Sequence, residues 1–473
     1  MMTLDSTKKI HFIGIGGISM SSLANILLSR GYKVSGSDSK ESFLVAKLRD
    51  MGAVVYIGQR AENISPDVGL VIYTAAIHDD NPELQAVRSL GIPAITRADF
   101  LGQIMRDYHL PICVSGTHGK TTTTSLISQV FLDTGADPTV LSGGIIPAIN
   151  GNMRIGHSEI LIVEACEYAN SFHSFFPKIA VILNVRADHL DFFNSIEDIR
   201  ASFLKFARLI PENGTLVING EIDNLEYFTR NLSCRIVTFG SEGNFDYTSK
   251  NIGYDTLACG RYDLFRNDTC LGRVELSIPG KHNIYNSLAA VAVCDICGIE
   301  TRDIIDSLKA FTGVERRFQL KGHFGGVTIV DDYAHHPDEI DATLSTAALY
   351  PHKKLWVVFQ PHTYSRTAIL MDEFAAALAK ADAVVLPDIY AAREENVFGV
   401  SSKDLKERIE MLGTECHYLP TFDEVEKFLL QNCVDGDLLI TMGAGDVVNI
   451  GDSLLGPQVI NIFNNFSDGK KLQ

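Results

Sequence analysis

The 473-residue sequence lacks several features that define well-known classes of protein. No uninterrupted apolar run approaches the roughly 18 residues of a membrane-spanning helix, so no membrane insertion is expected. Positive charge is scarce as well, because 41 Lys and Arg face 58 Asp and Glu. The net charge of -17 argues against binding to nucleic acid or to an anionic membrane surface. Any anionic ligand must therefore be held by local features of the chain.

A set of cysteines with the spacing of a metal site or a disulfide framework is also missing. Nine cysteines without metal-ligand spacing are scattered from Cys113 to Cys433. The single Cys-x-x-Cys, Cys294 and Cys297, lies in a helix-length segment with both thiols near one face, which favours core packing over redox or metal chemistry. The amino terminus passes directly into a short apolar strand and glycines, without the apolar region of a secretion signal. We therefore expect a reduced, cytoplasmic protein.

What the sequence contains instead is an alternation of apolar strand-length runs and amphipathic helix-length segments. This alternation predicts an α/β fold with parallel sheets flanked by helices. New α/β units begin near residues 107 and 320, which predicts three domains over 1–107, 108–320 and 321–473. We expect the first and third domains to be Rossmann-like. The central domain is expected to be a P-loop-type α/β domain with added strands, some of them antiparallel.

A glycine-rich turn follows the apolar run LPICV and precedes a helix-length segment that ends near Gly135. Strand, glycine loop, Lys-Thr and helix in this order predict a phosphate loop, because turned backbone N–H groups and a helix N-terminus attract phosphate. The motif is the variant G-x-x-G-K-T, with Val114 where the longer form has glycine. A plain glycine turn with an exposed lysine is the alternative. The predicted ATP-binding residues of this loop are Gly116, Thr117, His118, Gly119, Lys120, Thr121 and Thr122.

Acidic side chains follow two downstream apolar runs, at the strand ends where α/β sheets bind ligands. Glu164 and Glu167 follow the first run, and Asp188, His189 and Asp191 follow the second. Mg²⁺ prefers hard oxygen ligands, so Glu167 is the better candidate and His189 a softer supplement. We expect one or two Mg²⁺ ions at Thr121, Glu167 and His189.

The amino-terminal segment resembles a dinucleotide fingerprint. Gly14, Gly16 and Gly17 follow a short strand and precede a helix, and Asp38 follows about 20 residues later. Ser19 takes the place of the third glycine. A dinucleotide site, a UDP site and a bare tight turn all fit this pattern, and the first two share a diphosphate at a helix N-terminus. A separate triphosphate loop elsewhere in the chain argues against a dehydrogenase.

Nine stretches, in order along the chain, resemble the Mur ligases, the ATP-dependent amide-forming enzymes of peptidoglycan precursor synthesis. The similarity spans essentially the full chain and is carried by HFIGIGGISM, SGTHGKTTT, EACEYANSF, NVRADHLDFF, GKHNIYNSLAA, GVERRF, DDYAHHP, FQPHTYSRT and MGAGD. The resemblance implies an amino-terminal UDP-binding domain, a central ATPase-like domain and a carboxyl-terminal domain that brings the amino acid. It also implies ATP, Mg²⁺, UDP-N-acetylmuramate and L-alanine as cofactors and partners.

The resemblance further implies a role for particular residues. It assigns the UDP group to Gly14, Gly16, Gly17, Ser19, Met20, Asp38 and Thr74. On the ATP side it adds His282 and Asn283 near adenine, Arg317 with Arg316 near the phosphates, and Asp332 at the ribose. The incoming amino acid is assigned to Tyr333, His335, His362 and Arg366. The residues expected to act in catalysis are Lys120, Glu167, His189, His335 and Arg366.

Three positions depart from the family pattern. Arg186 stands where relatives usually carry an acidic residue, so the local charge near the predicted metal site differs. Thr363 stands where many relatives carry an arginine, which leaves Arg366 as the principal carboxylate clamp and selection among L-alanine, glycine and L-serine open. Phe203 stands where sister enzymes carry a modified lysine, so no carbamylated lysine is expected.

The implied mechanism makes an acyl phosphate from a sugar carboxylate and the γ-phosphate of ATP. The amine then attacks this acyl phosphate, and His335 or His189 accepts its proton. Three other functions are kept as alternatives: a recycling ligase that joins a peptide to UDP-N-acetylmuramate, a nicotinamide oxidoreductase and a catalytically silent UDP-sugar-binding regulator. The oligomeric state is left open.

Overall fold

A computed structural model of the chain describes residues 7–74, 77–188, 192–392 and 394–456. The chain divides into two compact units, Met1–Tyr247 with Ala289–Asp303 and Thr248–Leu288 with Ile304–Gln473. None of the described helices combines the length and apolarity that crossing a bilayer requires.

The first unit begins with a five-stranded parallel sheet in the order β3-β2-β1-β4-β5. Chain order reverses between β1 and β4, the place where open α/β sheets bind ligands. In register, Ile13 at the end of β1 lies opposite Ser37 of β2 and Tyr73 of β4. The elements are β1 (Lys9–Ile13), α1 (Ile18–Ser29), β2 (Lys33–Asp38), α2 (Phe43–Asp50), β3 (Val54–Ile57), β4 (Val68–Tyr73), α3 (Pro82–Ser89), β5 (Ala94–Thr96) and α4 (Arg97–Met105).

The same unit continues with seven strands in the order β12-β11-β10-β6-β9-β7-β8. All neighbours are parallel except β7 and β8, and β6 lies between β9 and β10. The elements are β6 (Leu110–Ser115), α5 (Lys120–Asp133), β7 (Thr139–Ile146), β8 (Gly151–Arg154), β9 (Ile160–Glu164), β10 (Ile179–Ile182), α6 (Ile196–Ala207), β11 (Thr215–Asn219), α7 (Leu225–Thr229) and β12 (Arg235–Gly240).

The second unit contains the antiparallel hairpin β14–β15 and a six-stranded sheet in the order β16-β17-β21-β18-β19-β20. In the latter only β16 is antiparallel to its neighbour. The remaining elements of the chain are β13 (Tyr247–Tyr254), β14 (Cys259–Arg266), β15 (Thr269–Pro279), α8 (Lys281–Ile296), α9 (Thr301–Ala310), β16 (Gln319–Phe324), β17 (Val327–Asp332), α10 (Pro337–Ala347), β18 (Leu355–Phe359), α11 (Tyr364–Ile369), α12 (Met371–Leu378), β19 (Ala383–Leu386), α13 (Ser402–Met411), β20 (Glu415–Tyr418), α14 (Phe422–Asn432), β21 (Leu438–Met442) and α15 (Val448–Leu455).

The strands are buried because their sequences are nearly continuous apolar runs, as strands covered on both faces require. Every residue of β10, β18 and β21 is buried. All nine cysteines are free thiols, and burial raises the pKa of Cys113 and Cys294 well above its usual range. These two thiols are therefore protonated core residues. Of the pair predicted to pack in the core, Cys294 is buried and Cys297 is partly buried.

One predicted helix differs in the structure. The sequence RTAILMDEFAAALAKA, which begins at Arg366, has the apolar spacing of one amphipathic helix, so the sequence predicts a single helix that opens at this arginine. Instead α11 begins at Tyr364 and α12 follows at Met371, because the backbone of Leu370 leaves the helical region at φ -109° and ψ 25°. Arg366 therefore lies within a short helix of its own.

Candidate active site

A glycine turn at the carboxyl end of β1 forms the first candidate subsite. The backbone N–H of Gly16 donates to Oδ2 of Asp38, 2.8 Å away. A Cβ atom at position 16 would lie 2.8 Å from the same oxygen, so a larger residue would push the Asp38 carboxylate away. Helix α1 follows with Gly17 as its N-cap and no side-chain cap. The first N–H groups of a helix attract phosphate in general, so the predicted diphosphate site is consistent with this geometry.

The other residues predicted to bind UDP lie around this turn. Ser19 is exposed in the first turn of α1, and Thr74 follows β4, the neighbour of β1. Met20 is only 1% exposed and packs in the core, so its side chain faces away from solvent.

The phosphate loop is held by hydrogen bonds to the segment that follows β10. The backbone N–H of His118 donates to Oδ1 of Asn184 at 2.8 Å, and the Asn184 amide donates back to the carbonyl of His118. The backbone N–H of Arg186 donates to the Thr117 hydroxyl at 2.9 Å. Gly119 caps α5 with a left-handed φ of 85°, a conformation that favours glycine. The loop is thus ordered by its own protein contacts.

Lys120 lies at the centre of this loop. Its Nζ atom donates to the carbonyls of Gly116 at 2.6 Å and Thr117 at 2.9 Å, and to both carboxylate oxygens of Glu167 at 3.1 and 3.0 Å. Burial alone would lower the pKa of Lys120, but the charges of Glu167, Cys166 and Glu164 outweigh it and raise that pKa. The ammonium group is therefore charged at neutral pH.

Glu164, which was not among the predicted site residues, holds the loop threonine. The Thr121 hydroxyl donates to its two carboxylate oxygens at 3.1 and 3.0 Å, and the backbone N–H of Gly143 donates to Oε2 at 2.7 Å. The predicted ligand Glu167 pairs with Lys120 instead of Thr121. Predicted ligand His189 lies outside the described residues.

The turn after Glu167 has an unusual backbone. Ala169 and Asn170 have φ values of 52° and 55° inside the short 3-10 segment Tyr168–Ser174. Two successive non-glycine residues at positive φ are strained, and such strain is typical of functional sites.

The second unit holds the other candidate residues. Its His282 is exposed at the start of α8, whereas Asn283 is buried. The amide of Asn283 donates to the carbonyl of Pro279 at 2.7 Å, and its oxygen accepts from Asn286 at 2.9 Å. The side chain of Asn283 therefore fixes the turn into α8.

The two adjacent arginines have different environments. Arg316 donates through Nε to the buried carboxylate of Asp331 at 3.1 Å and through Nη2 to the carbonyls of Gly443 and Gly445. Arg317 lies 3.5 Å from Glu339 and is 34% exposed. Arg316 is thus engaged within the unit, and Arg317 is the more accessible to a phosphate.

Asp332 is buried, and both of its carboxylate oxygens accept backbone N–H groups, from Phe318 and Ala334, at 2.8 Å. Burial raises the pKa of Asp332 to about 6, although Arg317 opposes this shift. The carboxylate thus fixes the local backbone in addition to its predicted ribose contact.

His335 is oriented by a carboxylate. Its Nδ1 atom lies 3.2 Å from Oε2 of Glu339 and 3.1 Å from the carbonyl of Tyr333. Both partners accept hydrogen bonds, so the proton belongs on Nδ1 and the lone pair on Nε2. Burial lowers the pKa of His335, which Glu339 opposes and Arg366 reinforces. The next residue, His336, is the N-cap of α10, where Nδ1 accepts the N–H of Asp338.

His362 and Arg366 form the remaining cluster. Nη1 of Arg366 lies 3.3 Å from Nδ1 of His362, and the ring of His362 stacks on Tyr390 with centroids 5.5 Å apart. Burial, Arg366 and His335 lower the pKa of His362 to about 4. Thr363 has a strained φ of 68°, and its N–H donates to the carbonyl of Tyr390. The rings of His335 and His362 are 6.1 Å apart, so these predicted residues do lie together.

Family models match the chain in three successive segments. These are the Mur ligase family catalytic domain over residues 9–109, the Mur ligase middle domain over 114–294, and the Mur ligase glutamate ligase domain over 316–445. This chain belongs to the Mur ligase family.

Several relatives of this Mur ligase carry one name. The UDP-N-acetylmuramate–L-alanine ligase of Lachnospira eligens is 54% identical over 94% of this chain and 97% of its own length. That of Lachnoclostridium phytofermentans is 53% identical, over 96% of this chain and 100% of its own. The crystal structure of the UDP-N-acetylmuramate–alanine ligase from Thermotoga maritima has a TM-score of 0.80 to this chain. The two sequences are 31% identical, and the match covers 95% of this chain and 98% of the Thermotoga chain.

A murein peptide ligase from Psychrobacter arcticus shares the fold of this Mur ligase at 24% identity and a TM-score of 0.69. The predicted three-domain α/β architecture is confirmed by the three family segments and the Thermotoga structure. The boundaries at 107 and 320 and the individual site residues stay predictions.

Proposed function

We propose that this Mur ligase joins the carboxylate of UDP-N-acetylmuramate to the amine of L-alanine and converts ATP to ADP and phosphate. The observation that carries the proposal is a phosphate loop whose Lys120 and Thr121 are each bound to a carboxylate, in a chain that is 54% identical to a ligase of that name. This similarity favours L-alanine over the peptide substrate of a recycling ligase. The reaction consumes ATP, so we infer that it takes place in the cytoplasm.

The residues of the loop suit an ATP-Mg²⁺ complex. The Thr121 hydroxyl and the carboxylates of Glu164 and Glu167 supply hard oxygen atoms, the donors that Mg²⁺ prefers. When bound there, Mg²⁺ would neutralise charge on the phosphate oxygens. Lys120 supplies a second, fixed positive charge for the γ-phosphoryl group.

Activation of the sugar carboxylate comes first. A carboxylate resists attack by an amine because it is a poor electrophile with a poor leaving group. Attack of one carboxylate oxygen on the γ-phosphorus forms an acyl phosphate and releases ADP. The amine then forms the amide bond to the acyl carbon, and phosphate leaves.

The amino acid arrives as an ammonium ion that must lose a proton before it attacks. His335 is suited to accept it, because Glu339 holds Nδ1–H and leaves the Nε2 lone pair available. His362 is a weaker base, because its pKa of about 4 leaves little affinity for a proton at neutral pH. Arg366 provides a cation for the α-carboxylate of alanine.

Phosphate release tests the proposal directly. Purified enzyme with ATP, Mg²⁺ and UDP-N-acetylmuramate is assayed across the twenty amino acids and one L-alanine-containing tripeptide. We expect L-alanine to give the highest kcat/KM, with glycine and L-serine about 10- to 200-fold lower, the range that one small group in a pocket allows. Faster turnover with the tripeptide would replace this proposal by the recycling ligase, and no release with any amine would refute both.

A further inference from the structure

One arginine of the first unit has no acidic partner among the described residues. Arg97 is the first residue of α4 and is half-buried. The Nη1 atom of Arg97 lies 3.5 Å from the Ser19 hydroxyl. The neighbouring carboxylate of Asp99 accepts from the Thr96 and Ser174 hydroxyls instead. Arg97 is therefore a cation without a matching anion in this part of the fold.

This placement is unfavourable in the protein alone. A cation at the first position of a helix faces the positive end of the helix dipole. Burial lowers the pKa of Arg97, and only the Cys166 sulfur opposes that shift. An unpaired guanidinium in such a place is destabilising unless something else supplies negative charge.

The residues around Arg97 indicate which group supplies the negative charge. Ser19 lies in the first turn of α1, whose N-terminus forms the predicted diphosphate site. Cys166 lies between Glu164 and Glu167, which bind the residues of the phosphate loop. The guanidinium therefore contacts Ser19, next to the glycine turn after β1. It also interacts with Cys166, which in turn interacts with Lys120 of the phosphate loop.

We propose that Arg97 is a positioning residue that binds the sugar-side phosphate of the UDP group and so fixes the sugar acid between the two phosphate sites. This inference rests on the proposed function. The sugar-side phosphate is favoured over the sugar carboxylate because Ser19, the residue that Arg97 contacts, belongs to the diphosphate turn. A planar guanidinium can bind two phosphate oxygens at once, and the phosphate supplies the missing negative charge.

Binding of a ligand series by calorimetry tests the assignment. Arg97→Gln is compared with wild type for UMP, UDP, UDP-N-acetylglucosamine and UDP-N-acetylmuramate. We expect about 10- to 100-fold weaker binding of the three diphosphates and less than a twofold change for UMP, because a charged hydrogen bond contributes roughly that factor. Arg97→Lys keeps the positive charge but lacks the planar guanidinium, so its affinity for the diphosphates should fall less than that of Arg97→Gln. Arg88→Gln removes an exposed arginine paired with Asp79 and is the matched control.

Thermal unfolding separates binding from folding. Because Arg97 lacks an acidic partner, Arg97→Gln should leave the melting temperature of the ligand-free protein unchanged or higher. An equal loss for all four ligands together with a lower melting temperature would show a structural role and overturn the proposal. A loss confined to UDP-N-acetylmuramate would also overturn it, because the carboxylate would then be the partner. Failure of wild type to bind UDP at all would instead refute the proposed function.

Discussion

Lys120 and Glu167 form an ion pair with Nζ 3.0 Å from Oε2, and their side chains are only 13% and 3% exposed. The lysine that should meet the phosphates of ATP is thus held by the carboxylate that is predicted to bind the metal. For Lys120 to turn toward ATP, Mg²⁺ must take the place of the lysine ammonium group at the Glu167 carboxylate. Binding of metal and release of the lysine are therefore expected to be coupled.

This coupling predicts the behaviour of Glu167→Gln. The neutral amide holds Lys120 less firmly, so ATP binding measured without Mg²⁺ should be at least as tight as in wild type. Turnover with Mg²⁺ should fall about 100-fold or more, because the site loses a metal ligand. Calorimetric ATP titrations with and without Mg²⁺ measure both effects. The exposed Glu197→Gln, on α6, is the control, and weaker Mg²⁺-free binding in Glu167→Gln would contradict the coupling.

Thr121 and Glu164 should act as a pair. Thr121→Val removes the hydroxyl donor and Glu164→Ala removes the carboxylate acceptor of this hydrogen bond, so each should lower kcat/KM about 10- to 100-fold. The double variant should be little worse than either single one, because contacting residues are not additive. The kcat/KM values of the four proteins measure the coupling. Independent losses that multiply in the double variant would show that Glu164 acts elsewhere. The control is Glu159→Gln, which changes an exposed carboxylate that lies 3.5 Å from His109.

His335 should matter only after the acyl phosphate has formed. His335→Gln is expected to lower kcat with L-alanine by about 10² to 10⁴, the usual contribution of a general base. Trapping of the acyl phosphate by hydroxylamine should persist, because this nucleophile is already neutral. Glu339→Gln should give a smaller loss, through a poorly oriented imidazole.

The neighbouring histidine provides the control for this prediction. His336→Asn keeps a side chain that caps α10, so activity should be largely retained. Loss of the hydroxamate product in His335→Gln would place the histidine in the first step and contradict the assignment.

His362 should make stability depend on pH in a definite direction. Its pKa is about 4 in the folded protein and about 6.5 when unfolded, so the unfolded chain binds more protons between these values. The stabilisation of the fold by neutral His362 is complete above pH 6.5 and is lost as the pH falls toward 4. His362→Asn should flatten this part of the curve in urea unfolding measured at several pH values. An unchanged slope between pH 4 and 6.5 would contradict the low pKa.

Asp332 contributes in the opposite direction. Burial raises its pKa to about 6, so the folded chain holds the extra proton and stability falls as the pH rises from about 4 to 6. The comparison for His362 must therefore be made between variant and wild type at each pH rather than from the wild-type curve alone.

The phosphate loop was predictable because its signal is local. A strand, two glycines, Lys-Thr and a helix follow one another within the stretch from Leu110 to Asp133, and backbone chemistry alone connects them to phosphate. The same is true of the apolar strand-length runs, such as those that form β9, β10 and β21. Parallel sheets buried on both faces require such runs, so the sequence pattern and the structure have one cause.

The partner of Thr121 was not predictable, because it depends on strand register. Pairing of β6 with β9 places Glu164 beside Val114, directly before the loop, and a shift by one residue would turn its side chain to the other face. Spacing along the chain could not choose between Glu164 and Glu167. Arg316 likewise finds Gly443 some 127 residues away, and only the assembled sheet brings them together.

The backbone between Glu167 and Phe172 has a consequence for any attempt to raise the thermal stability of this protein. Ala169 and Asn170 occupy a left-handed conformation that glycine adopts without steric strain, so replacing either by glycine would relieve that strain. Such a change removes local tension but also frees the turn that carries Glu167 toward Lys120. A heat-tolerant descendant obtained in this way would tend to be a slower enzyme.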